Sequence, residues 1–185
     1  MKRQGLSKWF TSGVLALSML ASSTPALASD ILLKIDGIKG ESQVKGHKDE
    51  IEVLSWSWGQ STGTARTTKG RQAAACITDL NFMKQVDASS PSLIMNGVVG
   101  EVAPTAVLTL LRSGEQQQEF LKLTMKNVTV VSFQISGSDG ADLPMESVSL
   151  HFESMQGEYR KQRPDGGLEP AITWDITGGG RGCQP

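Results

Sequence analysis

The chain has 185 residues, a formal net charge of −1 and 38% apolar residues. That length suits one domain with a sizeable core. The charge supplies none of the basic surface that nucleic-acid backbones require, so nucleic acid is not expected as a partner.

The N-terminus reads as a secretory signal peptide. Lys2, Arg3 and Lys8 make a basic start without a nearby acid, and Val14 to Leu20 (VLALSML) is a short apolar run. Ala26-Leu27-Ala28 then places small residues where a signal peptidase needs them. The run falls short of the ~20 residues of a membrane span, so no membrane anchor is expected. Cleavage after Ala28 takes the 18 Lys and Arg to 15, against 19 Asp and Glu, for a net charge of −4. The expected division is a signal peptide over 1–28, one domain over 29–177 and a flexible Gly-rich tail over 178–185. The expected location is secreted or periplasmic. An exported chain meets oxidising conditions, in which disulfides persist. Cys76 and Cys183 are the two candidates. A bridge between them would close a loop of roughly 100 residues, on the order of 4–5 kcal/mol in the chain-entropy model. A bridge to another chain and a free thiol stay open beside it.

Strand signals dominate the chain after residue 28. Ile31, Leu33 and Ile35 alternate with Leu32, Lys34 and Asp36. In EIEVLSWSWG the apolar parity switches: Ile51 and Val53 share one face, and Leu54, Trp56 and Trp58 share the other. That switch predicts a bulge, or a strand that moves between packing surfaces. GQSTGTARTTKGRQ (Gly59 to Gln72) reads as a loop. One helix is expected, capped by Ser90, with Pro91 in its first turn, Leu93, Ile94, Gly97 and Val98 on one face, and Gly100 as its stop. Ala106 to Leu111 (AVLTLL) is apolar on both faces, as a central strand would be. Arg112-Ser113-Gly114-Glu115 follows as a hairpin turn.

Leu121, Leu123 and Met125 alternate with Lys122, Thr124 and Lys126. The phase slips near Asn127 and resumes with Val131, Phe133 and Ile135. SGSDGADLP (Ser136 to Pro144) is a loop. Val148, Leu150 and Phe152 alternate with Ser147, Ser149, His151 and Glu153. Pro164-Asp165-Gly166-Gly167 is a strong turn signal, and Ile172, Trp174 and Ile176 make a last short strand. The pattern is that of a mainly β barrel or sandwich with one short helix.

Chemistry is thinly represented. His47, Asp49 and Glu50 have the types of a metal site, but a zinc centre usually takes three or four His, Cys or carboxylate ligands. A solvated charged loop pivoting on Gly46 fits better. His151 and Glu153, two apart on a strand, would point the same way, as an acid–base pair or as part of a polar face. Asp36 and Glu41 are a carboxylate pair that nothing else supports as catalytic. Trp56 and Trp58 would form a stacking platform or, with ten aromatics in the whole chain, part of the core. No nucleophile-elbow or phosphate-cradling glycine motif is present. Neither a catalytic residue, a cofactor nor a metal is expected. Polar-faced strands with open edges favour self-assembly over an enzyme.

Taken in order, ILLKIDGIKGES, HKDEIEVLSWSWG, TDLNFMKQVDASSPSL, AVLTLLRSGEQQQEFLKLTMKNVTVVS, DLPMESVSLHFESMQGEY and ITWDI resemble the Hcp family, the hemolysin-coregulated proteins of the type VI secretion inner tube. The resemblance runs from Asp30 to Asp175. It implies a compact two-sheet β-barrel with one flanking helix, and no catalytic residues. It implies homo-hexameric rings that stack into a tube, driven by a sheath, tipped by a spike protein and able to carry effector proteins. Lys39 to Lys48 corresponds to the extended loop that the family uses in subunit and ring contacts. Glu41, Lys45, His47 and Lys48 are thereby contact candidates. Two features depart from the family pattern. Tube subunits leave the cytoplasm through the apparatus, without a signal peptide, so an exported chain would be a paralogue acting as a stand-alone ring or binding module. The second departure is the tail GGGRGCQP, whose Cys183 could lock neighbouring rings together.

Overall fold

Alternation of apolar residues sets the strands, and the breaks in that alternation set the architecture. The computed structural model describes residues 30–67, 70–112, 117–140 and 143–177. The elements in chain order are β1 (Asp30–Ile35), β2 (Ile51–Glu52), β3 (Ser55–Ser57), β4 (Gln60–Thr67), β5 (Gly70–Ile77), β6 (Leu80–Gln85), α1 (Ser90–Val99), β7 (Val102–Arg112), β8 (Gln118–Ser136), β9 (Met145–His151), β10 (Ser154–Tyr159) and β11 (Ile172–Thr177). One sheet runs β2-β1-β7-β8-β9-β6-β3, with β10 added to β8 and β11 added to β10; β4 and β5 form a separate ladder. All pairings are antiparallel.

The parity switch at Val53–Leu54 marks the corner of this body. β2 pairs with β1 and β3 pairs with β6, at opposite ends of the strand order. The Val53 N–H donates to Ile31 O at 2.9 Å, and the next amide, Leu54 N–H, donates to Met83 O at 2.8 Å. Two consecutive residues therefore hold the two ends of the sheet. Because a strand has period two, adjacent side chains go to opposite faces. Val53 is buried, and Leu54 is 55% exposed rather than sharing an inward face with Trp56 and Trp58. The tryptophans are partly buried against the core. The mainly β, compact barrel-like body with one short helix expected from the resemblance is present; the ladder itself stays open, and its ends are joined through the bent β2–β3 segment.

AVLTLL sits in β7 between β1 and β8, and Ala106, Leu108, Leu110 and Leu111 are all buried. The phase slip near Asn127 is a change of partner. β8 is 19 residues long. Its first part pairs with β10 and its last part with β9. At the changeover Asn127 takes a left-handed conformation, φ 52°. Its side-chain amide donates to Glu153 Oε2 at 2.7 Å. The register shifts again between Val130 and Ser132, so Val131 bulges out, 52% exposed. Val128 and Val130 are buried, whereas of the three residues expected in phase Val131 and Ile135 are exposed and Phe133 packs partly on the core.

Of GQSTGTARTTKGRQ, Gln60–Thr67 and the residues from Gly70 on are strand, not loop, with 68–69 outside the described residues. Gln60 to Thr67 pair with Ile77 back to Gly70. Backbone bonds hold this ladder, and its polar composition carries no alternation to announce it. β7 and β8 pair antiparallel, Arg112 facing Gln118; the turn expected at Arg112-Ser113-Gly114-Glu115 falls on residues 113–116, outside the described residues. The turn at Pro164 to Gly167 is present, with Gly166 at φ 84° and its N–H on Arg163 O.

The helix cap falls one residue earlier than its signal implied. Ser89 is the N-cap and Ser90 lies inside, with Gly100 left-handed at the C-cap. Ser90 is drawn inward because its hydroxyl has buried partners. Leu93 is buried, while Ile94 and Val98 are exposed, so the expected four-residue inward face shrinks. Residues 1–29 and 178–185, and with them the expected signal peptide, tail and Cys183, lie outside the described residues. Among the described residues no cysteine is free.

Candidate functional site

The β1–β2 connection folds back on itself as a strap. The Gly40 N–H donates to Asp49 O at 2.8 Å, Ser42 N–H to Glu50 O at 3.0 Å and Asp49 N–H to Ser42 O at 3.0 Å. Gly46 reverses the chain at φ 87°, and Asp49 also has a positive φ, 61°. The limbs lie so close that a Cβ on Gly40 would run into Glu50 O, and would sit 2.6 Å from Glu50 C and 2.7 Å from Ile51 Cα.

The four contact candidates fall on this strap in different settings. Glu41 is exposed, and its Oε1 accepts the Ala88 N–H at 2.9 Å, which ties the strap to the lead-in of α1. Lys45 and Lys48 are exposed. His47 is half-buried: its Nδ1 is 3.0 Å from Glu50 Oε2 and its Nε2 is 3.4 Å from Glu119 Oε1. Glu119 Oε2 in turn meets Lys122 Nζ at 2.6 Å. Partial burial pushes the Glu119 carboxyl up. The Lys122 hydrogen bond and charge, with His47 and Arg160, outweigh it and hold the group below the usual carboxylate range. A cleft of about 360 Å³ beneath the strap is lined by Lys34, Lys39 and Lys48 and by Asp36, Asp49 and Glu50, so neither sign of charge prevails in it.

The other sequence candidates are not assembled into one site. His151 Nδ1 lies 3.0 Å from Asp79 Oδ1, whereas Glu153 is bonded to Asn127. Asp36 is anchored through its backbone N–H on Thr105 O, and Glu41 points to Ala88. Among the described residues no group of three His, Cys, Asp or Glu is placed to hold a metal ion. No helix among them is long and apolar enough to cross a membrane.

One cluster escaped the sequence reading. Lys84 and Glu146 face each other across β6 and β9, fully buried, with Nζ 2.6 Å from Glu146 Oε2 and 2.7 Å from Asp87 Oδ1. Ser90 Oγ donates to the same Glu146 oxygen at 2.9 Å and accepts from Lys84 Nζ at 3.1 Å. The signal was present: Lys84 is in phase with Leu80 and Phe82, and Glu146 with Val148 and Leu150.

Two surfaces lack a counterpart among the described residues. On α1, Met95, Val98 and Val99 are exposed, followed by exposed Val102; helical spacing puts the first three on one stripe, and α1 carries no charged residue. β11 pairs only with β10 among the described strands, leaving an open edge with Ile172 and Trp174 exposed. Among the described residues the body is therefore mainly β, with an open strand edge and one helix that carries no charge.

The family comparison makes the class specific. Residues 32–159 match the model of the family described as type VI secretion system effector, Hcp. The chain is 41% identical over 143 residues to Protein hcp1 of Pseudomonas aeruginosa, covering 76% of this chain and 88% of that one. The crystal structure of Hcp1 from Salmonella typhimurium superposes with a TM-score of 0.65 at 34% identity, covering 82% of this chain and 95% of that one. A structure of a type six secretion system protein gives 0.72 at 28% identity, covering 80% and 96%. The chain belongs to the Hcp family, whose members are structural, non-enzymatic components of type VI secretion.

Proposed function

We propose that this chain is a ring-forming tube subunit: six copies close into a ring and rings stack. The observation that carries the reading is the open β11 edge together with the uncharged, apolar α1 stripe. An unpaired edge and an uncovered apolar stripe are what copies of one chain bury against each other. In this reading the Lys39–Lys48 strap makes subunit and ring contacts through Glu41, Lys45, His47 and Lys48. The stack carries effectors and works with spike and sheath proteins.

Light scattering on the chain beginning at Ser29, at tens of micromolar, is expected to give the mass of six subunits. A monomer throughout that range would sink the ring. The leader-like N-terminus favours a second reading for the location: a processed paralogue whose rings stand alone in the periplasm or outside the cell. N-terminal sequencing of the protein recovered from a native host is expected to begin at Ser29. An uncut chain confined to the cytoplasm and to type VI culture fluid would overturn export by that route. Cys76 and Cys183 then either bridge within one subunit or link neighbouring rings. Denaturing gels without reductant separate the two, since only the second gives a dimer band.

A further inference from the structure

The strap tip meets the start of β8 through one side chain. Both ring nitrogens of His47 face carboxylate oxygens, Nδ1 toward Glu50 at 3.0 Å and Nε2 toward Glu119 at 3.4 Å, with the side chain 11% exposed. A neutral imidazole has one N–H, so it donates to one carboxylate and turns a lone pair on the other. An imidazolium donates to both. Of the two left-handed residues beside it, Gly46 takes that region freely, while Asp49, not a glycine, is kept there by the contacts around it.

The charges around the ring can be named element by element. Glu50 lies on the strap itself and Glu119 on β8. Lys122, also on β8, occupies the other Glu119 oxygen, and Arg160, just after β10, acts on Glu119 at longer range. We propose that His47 is a proton-operated latch: protonated, it ties the strap to β8 by bridging Glu50 and Glu119, and neutral, it lets the Glu119 side go and the tip opens. This intramolecular device does not depend on ring formation. Because the bridge to both carboxylates is complete only with the proton, raising the pH loosens the strap. Glu119 sets the other limit. Its lowered carboxyl keeps its charge down to below the usual carboxylate range, and its contribution is lost as pH falls through that lowered value. The strap is closed between the two.

The test is hydrogen exchange at the Asp49 and Glu50 amides, which bond to Ser42 O and His47 O. Rates are corrected for intrinsic exchange and compared at about pH 5.5 and about pH 8.5. The wild-type chain is expected to lose about tenfold in protection at the higher pH, the scale of one charge-assisted bond. His47→Gln, which cannot change charge, is expected to show the same protection at both. Glu119→Gln keeps the imidazole and removes its second carboxylate, and is expected to hold the strap at the low, high-pH level throughout. Wild-type protection that does not change with pH overturns the latch, as does a full-size pH response in either variant.

Discussion

Replacing Lys84 with methionine is expected to destabilise the fold by about 3–5 kcal/mol, the scale of breaking a buried charge pair on one side only. Lys84 and Glu146 are both fully buried. The ammonium bonds Glu146, Asp87, Ser90 Oγ and Gln85 O. Without it two carboxylates face each other in the interior, and Glu146 Oε1 already lacks a partner. Burying an unpaired carboxylate is among the most unfavourable changes a core can undergo. The double variant Lys84→Met with Glu146→Leu removes both charges and is expected to regain most of the loss. Urea unfolding of the two variants and the wild type measures it. A single-variant loss below about 1 kcal/mol would mean that the pair is solvated. The loss also reaches α1, because Ser90 at its start is held by Lys84 and Glu146.

The second large effect is expected at Gly40. Alanine there puts a Cβ against Glu50 O, Glu50 C and Ile51 Cα. These are backbone atoms, so no rotamer relieves the contact. Overpacking of this kind is expected to destabilise by about 1–3 kcal/mol. The strap runs directly into β2, so a displaced Glu50–Ile51 segment disturbs the Val53 bond to β1 as well. Gly46→Ala is the contrast. It has open space around it but a φ of 87°, so its expected loss is the smaller conformational one, about 1 kcal/mol. Thermal unfolding should rank Gly40→Ala well below Gly46→Ala. Equal midpoints would show that the two limbs of the strap separate easily.

Elements whose side chains alternate cleanly were legible in the sequence. β7 reads as a central strand because it is covered on both faces. The Val148, Leu150 and Phe152 alternation places β9 correctly. The parity break at Val53–Leu54 and the slip at Asn127 were both visible as breaks. Their consequence was not, because a break in period says that a strand turns without saying toward which partner. The β4–β5 ladder was hidden for the opposite reason: backbone bonds hold it, and they leave no hydrophobic period. Lys84 and Glu146 drew no reading at all, because a charged residue carries no inward signal of its own, although their phase was that of the core. At the strap, Gly46 as pivot was legible from the residues, and the contact role came only through resemblance. The meeting of His47 with Glu119 joins residues far apart in the chain, which no local spacing reports.

The Val53–Leu54 corner has a kinetic consequence. β1 with β2, and β3 with β6, are comparatively local pairings that need only the first half of the chain. They become parts of one surrounding wall only when β7, β8 and β9 bridge β1 to β6. Closing such long loops must precede the contacts that reward it, which places this chain among slow folders with late, non-local assembly. Until β9 has been made and has found β6, the two neighbouring amides at the corner anchor halves that can still swing apart. The second half of the chain therefore decides when the body shuts.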